Sequence, residues 1–151
     1  MHNEIIPEVE RLIHVCRDGE ELFRHAAAVA TSAHLKSLFQ EYADQRKSFL
    51  AELQTEAVAF GEKHPTDSGT VGGAVQRGWA KLRESLSTPD EHTLLSECES
   101  EEDDALEAYR AAVEITTLPE TLRNVVARQY AEVTAAHRNI RDLRDASKPK
   151  A

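Results

Sequence analysis

Residues 5–30 read IIPEVERLIHVCRDGEELFRHAAAVA. Within them Ile5, Val9, Leu12, Cys16, Gly19, Phe23, Ala26 and Ala30 follow alternating steps of four and three, the spacing of a helix seam in a bundle. The pattern predicts a helix from about Ile5 or Pro7 to Ala30, with Pro7 near its start, where a missing N–H does no harm. Gly19 falls on the seam. Its helix penalty of ~1 kcal/mol relative to Ala predicts that another backbone or a bulky side chain approaches closely there. At about 100° per residue, Glu20 lies beside Cys16, Phe23 and Ala27 on the inner face, whereas Asp18 points the opposite way and is expected at the surface. An inward carboxylate is costly unless it is paired or metal-bound, which makes Glu20 a candidate functional residue.

The same reading extends along the chain. Ser32 is expected to cap a second helix running to about Phe60 and closed by Gly61. Its inner face is Leu35, Leu38, Phe39, Tyr42, Phe49, Leu53 and Phe60, interrupted by Gln45 and Arg46. Residues 62–73, rich in Gly, Thr, Ser and Asp, read as a loop. A shorter helix to about Leu86 follows, with Val71, Val75, Trp79, Leu82 and Leu86 on one side, Trp79 being a packing anchor. Thr88 as cap and Pro89 at the first position are expected to start a third long helix, placing Leu94, Leu95, Cys98, Ala105, Tyr109, Ala112 and Val113 inward. Glu102 and, less centrally, Glu101 share that face, while Glu97, Asp103, Asp104 and Glu107 face water. The last helix is predicted from Pro119 to about Asp145, burying Leu122, Val126, Val133 and Ile140, with Gln129 and His137 interrupting its stripe.

Short links join the first two and the last two helices, but about thirty residues separate the hairpins. Two antiparallel hairpins joined by one long crossover containing a short extra helix is the ferritin-like four-helix-bundle arrangement, an all-α fold. It is expected to form one domain over residues 1–146, with 147–151 a frayed tail. Counting from each turn at about 1.5 Å per residue brings Glu20, Gln45, Arg46, Glu102, Tyr109, Gln129 and His137 toward mid-bundle, as a buried polar layer. Ferritin-like proteins hold two metals at that level with a Glu from two helices and Glu-x-x-His from the other two. Here Glu20 and Glu102 match the single carboxylates, but neither Glu-x-x-His motif is present, and Arg46 would repel a metal while neutralising a carboxylate.

Asp18-Gly19-Glu20, GTVGGAVQRGW at 69–79, ECESEEDDALEAY at 97–109, and Gln129-Tyr130-Ala131-Glu132-Val133 followed by His137 resemble an uncharacterised bacterial family of ferritin-like four-helix-bundle proteins. The resemblance covers nearly the whole chain. It implies the bundle fold and a homodimer, and it brings no established reaction or catalytic residue. Where that family tends to have a small residue before the glutamate matching Glu102, this chain has Glu101.

The 151 residues carry a net charge of -9 without any Lys/Arg-rich block, which argues against nucleic acid and anionic membrane as partners. No apolar run approaches the ~18 residues of a membrane span, and the N-terminus lacks an export-signal pattern, so a cytoplasmic location is expected. Cys16 and Cys98 lie in apolar stripes and read as buried small hydrophobes rather than a disulfide. His2, His14, His25, His34, His64 and His92 show no ligand spacing and are expected at the surface. Two functional readings follow. In the first, the chain is a non-enzymatic, self-associating bundle without a cofactor, with an internal salt-bridge and hydrogen-bond layer in place of a di-metal centre and a role in stress physiology. In the second, Glu20, Glu102 and His137 hold one iron, manganese or zinc ion, a set that suits oxygen or peroxide chemistry.

Overall fold

The structure, a computed structural model, describes residues 2–59 and 90–147. They form four helices: α1 His2–Val29, α2 Ala33–Ala59, α3 Glu91–Val113 and α4 Glu120–Ala146. No strand occurs among the described residues. The chain is an all-α four-helix bundle.

The helix boundaries have local causes. α1 begins at His2, ahead of the expected start at about Ile5 or Pro7, so Pro7 lies inside the helix. Its missing N–H removes one bond, to the carbonyl four residues earlier. Ser32 caps α2 as expected, its Oγ accepting from Leu35 N at 3.3 Å. The expected cap of α3 is corrected: Asp90 takes the role from Thr88, its backbone extended at φ -69°, ψ 160°. Asp90 Oδ1 accepts from Thr93 N at 2.7 Å, and a carboxylate at this end also meets the positive pole of the helix. α4 starts after Pro119, which has no donor to satisfy. Arg123 braces the preceding turn by donating to the carbonyls of Thr116 and Leu118. At the far end, Ser147 N reaches the carbonyls of Leu143 and Arg144, and its Oγ donates to the latter at 2.8 Å.

α1 packs on α2 and α3, and α4 packs on α3 and α2, leaving α1/α4 and α2/α3 as the diagonals of the bundle. Neighbouring helices are antiparallel. Cys16 meets Tyr109, and Asn139, Gln129 and Thr121 meet successively later residues of α2, namely Tyr42, Phe49 and Glu56. α2 and α3 are consequently parallel, so α2 ends and α3 begins at opposite ends of the bundle. The expected crossover helix with Trp79, the glycines at 69–78, Phe60 and His64 lie outside the described residues, as does the tail from Lys148.

Among the described residues the apolar interior is two blocks. One gathers Ile5, Leu12, Phe49, Leu53, Tyr109 and Leu122 among others; the second gathers Phe23, Phe39, Leu94, Leu95 and Ile140. Each fully buried side chain of this size stabilises the fold by about 1.5–3 kcal/mol. Charged residues separate the blocks. Two surface assignments need correction. Asp18, expected to face water, is only 4% exposed, because α1 packs on two helices and its buried arc is wider than one seam. Val113, expected inside, is 36% exposed as the last residue of α3. No described helix is long and apolar enough to cross a membrane.

Candidate functional site

Between the two apolar blocks Arg46, fully buried, reaches from α2 across the diagonal to α3. Its Nη2 donates to Glu102 Oε1. Its Nη1 donates to Glu101 Oε1 at 3.4 Å and to the Val15 carbonyl of α1 at 3.2 Å. The guanidinium also lies 5.8 Å from the centre of the Phe23 ring, where the ring's negative face favours a cation. α1 makes room at Gly19: a Cβ there would overlap Nη1 and stand 3.1 Å from Cζ and 3.2 Å from Glu101 Oε1. The close approach expected from a glycine on the seam is therefore the passage of this side chain.

One cation faces two carboxylates, with a third buried carboxyl, Asp18, close enough to influence Glu101. Burial pushes Glu101 well above the usual carboxylate range; Arg46 opposes that shift, and Glu102 and Asp18 add to it. Burial likewise raises Glu102 against the pull of Arg46 and its hydrogen bond. Desolvation disfavours the Arg46 charge, but Glu102 and Glu101 outweigh it and hold the guanidinium more firmly protonated than usual. Arg46 Nε and Glu102 Oε2 have no hydrogen-bond partner among the described residues, so the layer is costly as well as cohesive.

A second polar chain crosses the block that holds Phe49 and Leu122 and touches all four helices. Tyr109 OH donates to Gln129 Oε1 at 2.6 Å, which leaves the Cys16 thiol as donor to the phenol oxygen at 3.2 Å. Gln129 Nε2 then donates to the Phe49 carbonyl and to Glu52 Oε1. Burial pushes the Cys16 thiol up to about 11, and it raises Cys98 and Tyr109 well above their ordinary values. Neither thiol is poised as a nucleophile.

The remaining residues singled out from the sequence take other partners. Glu20 is buried but accepts from Arg17 and Arg24 of its own helix, at 3.4 and 3.1 Å, and Arg24 continues to Asp44 of α2. Gln45 is half-buried beside Arg46. His137 Nε2 contacts Asp103 Oδ1 at 2.6 Å and lies 3.9 Å from Glu99 Oε2. Glu20, Glu102 and His137 thus engage three separate sets of partners. The Arg46 layer does not fit a metal pair, since its central group is a cation already bonded to both α3 carboxylates. Among the described residues, ligand atoms that converge within metal-binding range belong instead to Glu99, Asp103 and His137. Sequence reasoning passed over Glu99 and Asp18, although Glu99 and His137 lie equally far along the chain from Leu118 in the second turn, a signal that pairs them.

A profile of a domain of unknown function, DUF2383, matches residues 4–115. The chain belongs to the DUF2383 family. The DUF2383 match spans α1 to α3 and so contains Gly19, Arg46, Glu101, Glu102 and Tyr109, whereas α4, with Gln129 and His137, lies beyond it. No curated protein matches the chain.

Proposed function

We propose that this DUF2383 chain is a non-enzymatic bundle of ferritin-like type, in which a fixed ion-pair layer stands at the level where ferritin-like proteins hold metals. It works by associating with a second copy of itself, in a stress-related role in the bacterial cytoplasm. The observation that carries this reading is Arg46, fully buried and bonded to both Glu101 and Glu102. A metal pair at that level would meet a like charge and lose both carboxylates as ligands.

The test is elemental analysis of the full chain purified without chelators, beside Glu102→Gln. No metal whose amount depends on Glu102 is expected; stoichiometric iron or manganese lost in the variant would overturn the ion-pair reading. Sedimentation velocity over a hundredfold range of concentration tests association, and a monomer throughout would remove that part. A single iron, manganese or zinc ion on Glu20, Glu102 and His137 is the weaker alternative, because each of the three is held by different neighbours.

A further inference from the structure

We propose that Glu99, Asp103 and His137 form a binding site for one divalent transition-metal ion, of which zinc suits the donor set best. The site joins α3 to α4 on the flank of the bundle and is distinct from the interior layer. Glu99 and Asp103 are four residues apart and share a face of α3; His137 meets them from α4. One ligand atom from each lies within 4.8 Å of the other two. Zinc binds carboxylate oxygen and imidazole nitrogen at about 2.0–2.2 Å, so tetrahedral donors stand about 3.3–3.6 Å apart. The observed separations of 2.6 and 3.9 Å about His137 Nε2 bracket that value.

A second observation points the same way. Glu99 is only 8% exposed, yet just one of its oxygens is engaged: Oε1 accepts from Arg144. Oε2 accepts no hydrogen bond among the described residues and faces the imidazole at 3.9 Å. An unbonded carboxylate oxygen on a buried residue, set toward a ring nitrogen, is what an incoming cation would complete. Arg144 does not spoil the site's charge, because its Nε and Nη2 are bonded to Asp145 at 3.3 and 2.9 Å. It acts as the outer partner that fixes one arm of Glu99 and aims the other. With a neutral imidazole, Glu99 and Asp103 supply two negative charges. The Asp103 side chain, 62% exposed, gives the ion a path from solvent and leaves a fourth position for water. The competing arrangement is the direct hydrogen bond between His137 and Asp103, whose proton the metal would displace from Nε2.

The experiment uses full-length protein stripped of metal, titrated with zinc by calorimetry and with cobalt(II) by visible absorption. One equivalent of zinc per chain is expected, with the intense visible bands of tetrahedral cobalt. His137→Asn and Asp103→Asn should each weaken zinc binding at least tenfold and abolish the cobalt bands, while Asp142→Asn binds as the parent does. The Asp103 side chain is exposed, so its variant tests the site without risk to folding. Absence of saturable binding, or equal binding by the parent and both ligand variants, would overturn the site. Glu102→Gln leaves this binding intact, so the outcome is separable from that of the ion-pair layer.

Discussion

Gly19 and Arg46 are complementary: the guanidinium of one occupies the volume that a side chain on the other would need. Arg46 cannot swing aside, because it is fully buried and tied to Val15, Glu101 and Glu102. Gly19→Ala should therefore destabilise by about 1–2 kcal/mol, overpacking outweighing the ~1 kcal/mol of helix propensity that Ala gains. In an Arg46→Met background the same methyl becomes neutral or stabilising. Urea midpoints of the four proteins measure this coupling; additive effects would show that the two positions are independent.

Arg46→Ala strands two buried carboxylates and should cost about 3–5 kcal/mol. Replacing the whole group, with Arg46→Met, Glu101→Leu and Glu102→Leu together, should recover most of that loss or exceed the parent, since Arg46 Nε and Glu102 Oε2 are already unbonded. Chemical denaturation compares the two. A triple variant no more stable than Arg46→Ala would contradict the account.

Acidity should favour this fold near its centre. Glu101 carries a folded pKa raised above its ordinary 4.5, chiefly by burial. Between 4.5 and that raised value the folded state holds more protons than the unfolded one, so stability falls as pH rises through the window. Glu101→Gln keeps an acceptor for Arg46 and removes the titration. It should be more stable than the parent at pH 8, near equal to it at pH 4.5, and show a flatter profile of thermal midpoint against pH. A parent whose midpoint climbs over the same range in step with the variant would refute the assignment.

Cys16 and Cys98 should resist alkylation. Both are fully buried, and desolvation disfavours both thiolates. At pH 8 a thiol reagent should label them only as fast as the bundle opens, with the rate rising in proportion to the unfolded population in urea. Labelling within the mixing time would show an accessible thiol.

The elements themselves were legible, because a 3.6-residue period repeated over more than twenty residues leaves little choice of secondary structure. The polar interruption at Arg46 and Glu102 was legible for the same reason, and so was the meaning of Gly19. What a single stripe does not encode is how many neighbours a helix has. Asp18 lies off the α1 seam but inside the arc covered by two helices, so the wheel placed it in water. Glu20 lies beside the seam on the inner face, yet arginines one turn away on either side hold it at the flank. Pairings between helices depend on packing between distant segments, which is why His137 was drawn toward Glu102 when its contacts are Asp103 and Glu99.

Arg46 and Glu102 are 56 residues apart in the chain, whereas the turns within each hairpin bring near neighbours together. Short-range closure comes first on entropic grounds, so the diagonal charge pair is a latch thrown after the two halves have met. A contact absent from the transition state leaves the rate of assembly nearly untouched and sets the rate of opening. Loss of the latch should therefore speed opening far more than it slows closure, a split that unfolding and refolding rates in urea measure.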